Sequence, residues 1–320
     1  MNNNVRTVSL LGDEIDIGLI YCNEYKQPKV VRVIPDSWPD IREYNSLPEK
    51  IFNKMIQAWT QKTKVDYLIT PGGFLHFDWP QDFVVKDIKS PTKNEIQVLI
   101  RSAQRIIDTF LLTFDEPFAK IIDTITLGID SESELSGQQA ELIFVKNFKT
   151  GKIWWTGKSY PTMNQQDNLV CLDFESHFFT NNDDQLMVLG CHDLNLFSNR
   201  ALANTALGSW RNRRIVHFQE LAESIRPTVV LQHAHTADTP RTWSTAWSGI
   251  REGLPEVETY AGSGRWFNPF GSQRGSLMQT LRSTSRGRVS TFYVEINTDL
   301  EGIEPSKLKK KKKYVAPKFR

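Results

Sequence analysis

The residues best suited to chemistry cluster in QLMVLGCHDLNLFSNRA, Gln185 to Ala201. An apolar run, Leu186 to Leu189, ends at Gly190 and Cys191, with His192 and Asp193 next. This pattern predicts a buried strand that delivers a thiol to a turn. Such a thiol is held rigidly, and it becomes nucleophilic where cations or backbone N–H groups stabilise the thiolate. Free cysteines also serve as small buried hydrophobes, so the segment alone leaves both roles open. A second polar cluster closes PTVVLQHAHTAD, where His233 and His235 stand at i and i+2 and should share one face of a strand. With Asp238 they offer metal-ligand types, but no third or fourth ligand is fixed, and neither a metal nor a cofactor is implied.

The elements that must position these groups follow from periodicity. TVSLLG and IDIGLIYCN read as strands, and the stretch between Pro35 and Pro48 as irregular. PEKIFNKMIQAWTQKTK spaces Ile51, Met55, Ile56 and Trp59 for a helix, which VDYLITPGG follows as a strand stopped at Pro71. NEIQVLIRSAQRIIDTFLLTF and RRIVHFQELAESI have broad apolar helical faces. IIDTITLGID reads as a strand, and AELIFVKNF, KTGK and IWWTGKSYP as a hairpin with Lys158 at its far end. Asn164 to Asn182 reads as a polar loop with one strand-like insert, and GRVSTFYVEIN as a last strand after a loop rich in Trp, Ser and Gly. Helices alternating with continuously apolar strands predict an α/β protein with helices covering sheet faces and a site at the strand ends.

Composition excludes several classes. The three cysteines, Cys22, Cys171 and Cys191, are too few and scattered for a disulfide framework. No run approaches the roughly 18 apolar residues of a membrane helix, and MNNNVRT has no signal-peptide core, so a cytoplasmic protein without a membrane partner is expected. The net charge of +2 hides an asymmetry: Lys307, Lys309 to Lys313, Lys318 and Arg320 form a basic tail. Without these eight, 31 basic residues face 37 acidic ones, a net charge of −6. One domain over residues 5–297 and a flexible Lys-rich tail over 298–320 is the simplest organisation. The tail suits weak, nonspecific, salt-dependent contact with an anionic partner.

Taken in order, these pieces resemble the nitrilase, or carbon–nitrogen hydrolase, superfamily. TPGGFLHFDWPQDF, Thr70 to Phe83, stands where the family has a Phe-Pro-Glu motif, AELIFVKNFKTGKIWWTGKSYP resembles its lysine hairpin, and GCHDLNLF resembles its Cys-Tyr-Asp-Leu motif. The resemblance implies an α-β-β-α sandwich that pairs into a homodimer or larger homo-oligomer, and a small amide-like substrate. It implies Cys191 as nucleophile and Lys158 as charge stabiliser. It also puts Gly72 in place of the family's catalytic glutamate, and Ser198 near the position of an acid that often follows the cysteine motif.

A base is therefore missing from the pattern. His76 and Asp78, in the loop that replaces the glutamate motif, and His233 and His235 are the candidate substitutes. His192 follows the thiol directly but should point to the opposite face. Gly72, His192, Asp193, Trp243 and Trp247 are expected around the pocket; the two tryptophans, at i and i+4, fit aromatic walls at its mouth and equally the ordinary packing of a helical turn. Arg211, Arg213 and Arg214 read as a solvated basic face or as receivers of an acidic substrate or a phosphate. Two functions fit: cysteine-dependent hydrolysis or acyl transfer at an amide-like C–N bond, or a binding or regulatory module that kept the fold and lost turnover at Gly72.

Overall fold

The computed structural model describes residues 5–8, 15–21, 27–35, 47–59, 64–236, 240–266 and 276–296. Cys22, Asp238, most of the Pro35–Pro48 stretch and the 298–320 tail lie outside them.

Two sheets stack face to face. The first contains, in spatial order, β1 (Val5–Val8), β2 (Ile15–Tyr21), β14 (Val289–Ile296), β3 (Val30–Pro35), β4 (Val65–Ile69), β6 (Ile122–Glu132), β7 (Gln139–Asn147) and β8 (Ile153–Gly157). A short β5 (Leu75–His76) also pairs with β6. The second sheet runs β13 (Ser285–Arg286), β12 (Thr259–Arg265), β11 (Val229–Thr236), β10 (Asp184–Leu189), β9 (Phe178–Asn181). Strands β3, β4 and β6 are parallel neighbours, as are β10, β11 and β12, so each sheet has a parallel centre.

Alternation along the strands builds the layers. Leu186 and Val188 of β10 join Tyr67, Ile69, Ile143, Val145, Val229 and Leu231 between the sheets. Met187 and Leu189 face the other way, against α4 (Trp210–Ile225) and α5 (Pro240–Gly253). The outer face of the first sheet is covered by α1 (Leu47–Ala58) and α2 (Lys93–Ile121), through Ile51, Phe52, Met55, Leu99, Ala103, Ile107 and Phe114. The result is an α-β-β-α sandwich, the architecture expected. The long α2 begins at a capping box in which Thr92 accepts from the Glu95 N–H while the Glu95 carboxylate accepts from the Thr92 N–H.

A stretch given no element in the sequence reading, VVRVIP, forms β3, buried along its whole length in the middle of a sheet, a continuous run without the alternation that marks a one-sided strand. One local expectation changes. The Trp/Ser/Gly-rich stretch expected as a loop contains α5 and β12; small residues in β12 let it lie close to β11, where a Cβ at Gly264 would meet Ala234 O at 2.9 Å. The Asn164–Asn182 stretch, expected as a loop with one strand-like insert, contains β9, which pairs with β10. Two short helices, α3 (Asn199–Ala203) and α6 (Leu277–Ser283), complete the described fold.

Candidate active site

The strand ends of the two sheets meet around Cys191. On β6, Thr124 turns toward the second sheet, where its hydroxyl accepts from Asn181 Nδ2 at 2.9 Å. Asp130 lies on the same alternating row six residues on. Directly opposite it in the antiparallel register is Glu141 of β7, in the same row as Ile143 and Val145 of the inter-sheet core. Two carboxylates thus stand side by side where the sandwich opens.

Lys158 follows β8, and its backbone N–H donates to Glu141 O at 2.8 Å. Its ammonium, 2 % exposed, donates to Glu141 Oε1 at 2.8 Å and Gln165 Oε1 at 2.6 Å. Gln165 Nε2 returns a bond to Glu141 Oε1 at 2.7 Å, closing a three-residue ring. An ammonium has three donors, so one remains for another acceptor. Burial favours the neutral amine, but the Glu141 carboxylate and then the Cys191 thiolate raise the Lys158 pKa above its ordinary value. Burial likewise pushes Glu141 up, and the charges of Lys158 and His235 reverse this to leave its carboxyl well below the usual range.

Asp193 ties the lysine segment to the cysteine turn. Fully buried, it accepts from the N–H groups of Ser159 (3.0 Å), Tyr160 (2.7 Å) and Gly190 (2.8 Å). A Cβ at Gly190 would come within 2.8 Å of Lys158 Cα and 2.9 Å of Asp193 Oδ2, so only glycine permits this closeness.

Cys191, 5 % exposed, ends the apolar run as the pattern predicts. Its carbonyl accepts from Gln232 Nε2 at 2.8 Å, and its sulfur accepts from the backbone N–H of His235 at 3.4 Å. The register of β11 against β12 slips between His233 and Thr236, a β-bulge that lets the strand depart from strict alternation at its site end. There His235 Nε2 meets Asp130 Oδ2 at 2.6 Å, while Nδ1 lies 3.7 Å from Glu141 Oε2. A carboxylate only accepts, so Nε2 carries a proton. Burial opposes the imidazolium, but Asp130 and Glu141 raise the His235 pKa well above its ordinary value. Burial also opposes the Cys191 thiolate; the imidazoles of His192 and then His235 outweigh it and hold the thiol well below its ordinary pKa.

The other expected site residues fall in different places. His192 lies beside the thiol despite the expected alternation, because the chain past Leu189 turns into a 3-10 segment, Asp193–Phe197, that it caps. His233 is buried away from His235: desolvation lowers its pKa to about 3, and neither ring nitrogen has a side-chain partner among the described residues. His76 and Asp78 line a groove of about 1180 Å³ whose walls include neither Cys191 nor Lys158. Asp193 lines neither of the two grooves described in this structure, and its three hydrogen bonds all serve backbone. Trp243 and Trp247 are core rather than pocket walls: both belong to α5 and are buried against the second sheet, where Trp247 stacks on Tyr260 at 4.2 Å. The arginines at the start of α4 are not simply solvated, as Arg211 lies over Tyr160 at 4.2 Å and Arg214 over Phe174 at 4.0 Å.

Gly72 is the most informative departure. A Cβ there would stand 2.9 Å from His233 O and 3.1 Å from His235 Cε1. The space beside residue 72 is occupied by the His235 ring. Residues 71 and 72 in turn cross β6 at Gly128, where a Cβ would meet Pro71 O at 2.3 Å.

Asp130, Glu141 and Gln165 escape the sequence reading. The signal for the first two is faint: an acid closing IIDTITLGID and an acid second in AELIFVKNF, each on a strand with other polar residues. Among the described residues no group of three or more His, Cys, Asp or Glu side chains is arranged to hold a metal ion, and no helix is long and apolar enough to cross a membrane.

No family model matches the sequence, and no curated protein does. Among solved structures the chain is similar to a mutant of an amidase from Nesterenkonia AN1, of the nitrilase superfamily, at 12% identity and TM-score 0.46, over 74% of this chain and 77% of that one. It is also similar to Saccharomyces cerevisiae Nit3, a member of branch 10 of the nitrilase superfamily, at 11% identity and TM-score 0.44, over 77% of each chain. At these identities the likeness is one of fold alone.

Proposed function

We propose that this protein is a thiol-dependent hydrolase or acyl transferase acting on the C–N bond of a small amide-like molecule. Cys191 is the nucleophile, His235 the general acid–base, and Asp130 the group that orients the imidazole. The observation that carries this reading is the placement of His235: its Nε2 donates to Asp130 Oδ2 at 2.6 Å, its backbone N–H donates to Cys191 Sγ at 3.4 Å, and its charge helps hold the Cys191 thiol below its ordinary pKa. A nucleophile with a base and its orienting group beside it is the pattern that activates a weak nucleophile. The order of the cysteine and lysine motifs along the chain supports the same reaction class.

The chemistry balances with these residues. The Cys191 thiolate adds to the amide carbon, and its C=O electron pair moves onto oxygen. Lys158, with one N–H still uncommitted, is the cation available to that oxyanion. The His235 imidazolium gives its proton to the departing nitrogen, the C–N bond breaks, and a thioester remains on Cys191. A water or another nucleophile then loses a proton to the neutral His235 as it attacks the thioester, and the C–S bond breaks to restore thiolate and imidazolium. Glu141 carries no proton in this scheme; it holds Lys158 charged and adds negative potential beside His235.

The test is intact-mass analysis after brief mixing with a panel of small primary amides. An acyl adduct on wild-type protein, absent in Cys191→Ser, supports the assignment; its absence across the panel counts against it. The seclusion of Cys191 favours one second reading, a binding module. That reading requires ligand binding unchanged in Cys191→Ala and no adduct under any condition.

A further inference from the structure

A second groove, about 1060 Å³ in volume, lies between the start of α2 and the start of α4. Cys191, Lys158 and His235 are not among its walls. Its charge is uneven: Lys89, Lys93, Arg213 and Arg214 outnumber Asp173 and Glu175. Asp173 already accepts the Ser176 N–H through Oδ1 at 2.8 Å. Among the described residues, no carboxylate lies within 4.0 Å of the charged nitrogens of Lys93, Arg213 or Arg214, and Lys89 reaches Asp167 only at 4.0 Å. In a body whose net charge is negative, this is a local concentration of uncompensated cations.

The same walls are aromatic. The Arg214 guanidinium is 4.0 Å from the centre of the Phe174 ring and 5.1 Å from that of Trp210, and Lys89 Nζ is 5.8 Å from the Trp210 ring. Arg214 donates to Leu172 O at 3.3 Å, whereas its Nε, shielded from water, has no hydrogen-bond partner. Burial lowers the Arg214 pKa, as it does for a cation without a close counter-ion. The guanidinium N–H donors that remain uncommitted suit an oxyanion in the groove. The indole faces beside it suit a flat π-system. The volume is near the upper end of the roughly 300–1,000 Å³ typical of small-molecule pockets.

We propose that this groove is a binding site for a phosphorylated aromatic molecule of mononucleotide chemistry. The phosphate sits on Arg213, Arg214 and Lys93, and the ring lies against Trp210. Because both halves of the ligand are needed, neither a nucleoside nor free phosphate should bind well alone.

The test is calorimetric titration of the full chain with AMP, with adenosine and with inorganic phosphate, at low and moderate salt. The expected result is AMP binding below about 1 mM, at least roughly tenfold tighter than either fragment and weakening with salt. Arg214 is packed, so the deciding variant is the exposed pair Lys93→Gln/Arg213→Gln, with circular dichroism to check its fold. It should weaken AMP by about tenfold or more. Absence of AMP binding up to several millimolar, or equal binding by the double variant, overturns the proposal. So does binding of a short single-stranded oligonucleotide without binding of AMP, which would make the surface a nucleic-acid contact.

Discussion

Gly72 and His235 occupy one space: the imidazole Cε1 lies 3.1 Å from where a Cβ at residue 72 would be. By its motif resemblance, residue 72 is where a catalytic glutamate is expected. A longer side chain at residue 72 and the His235 imidazole would therefore compete for the same space. In the reaction proposed above, the base lies at the end of β11 rather than in the loop after β4, with Asp130 as its support.

This relationship predicts an asymmetric mutational result. Gly72→Ala places a methyl against the ring and against a backbone carbonyl, and should destabilise by about 1–3 kcal/mol, the usual cost of overpacking. Adding His235→Ala should recover part of the loss, because one of the two clashes disappears while the His233 carbonyl stays. Thermal melts of the two single variants and the double variant provide the cycle; strict additivity would mean that the two residues do not compete for space.

Asp130→Asn should lower turnover by roughly 10²–10⁴-fold with little loss of fold, since an amide can present an N–H to Nε2 and favour the wrong tautomer. A KM that rises while kcat stays constant would instead assign Asp130 to substrate binding. Measuring kcat and KM separately on whichever amide gives turnover distinguishes the two.

Lys158→Met should cost about 3–5 kcal/mol, because it takes the closest cation from the buried Glu141 carboxylate. Lys158→Met/Glu141→Gln should recover much of that stability without recovering activity. Chemical denaturation combined with an activity assay separates the pair's structural role from the electrostatic role given to Lys158.

Much of the fold was legible because apolar period and glycine turns specify it locally. The cysteine strand and the α2 and α4 helices carry strong periodic signals. Strand β3 and α5 were not legible, one because a fully buried central strand shows no alternation, the other because its tryptophans and serines resemble loop composition. In the site, Cys191, Lys158 and His235 stand out as residue types able to do chemistry at strand ends. Asp130 and Glu141 do not, because an acid at a strand terminus is ordinarily a solvated end; only the pairing register brings these two together beneath His235. The same limit applies to Trp243 and Trp247, whose i, i+4 spacing is common to a pocket wall and a core face.

Acidification should weaken the fold through His233. Its folded pKa of about 3 lies below the unfolded value near 6.5, so the unfolded chain binds more protons between these limits. Stability present above about pH 6.5 is therefore lost as pH falls toward 3. The buried His177, also shifted down, adds to the same slope. His235 has the opposite sign: its raised pKa gives stability fully present below about 6.5 and lost as pH rises through the folded value, so it does not offset the acid limb. Melting temperature against pH should flatten between 4 and 6.5 in His233→Phe; an unchanged slope would place the linkage elsewhere.

The central claim is that His235 activates Cys191, and the alkylation rate of Cys191 as a function of pH tests it most directly. Intact-mass analysis with a small electrophile would compare wild type, His235→Gln and Lys158→Ala, with Cys171 as internal control, its thiol being pushed up by burial to about 11. Wild-type Cys191 should react well below the ordinary thiol pKa of about 8.5, and His235→Gln should move the profile toward higher pH. A Cys191 profile that matches Cys171, or that is unchanged in His235→Gln, would contradict the account.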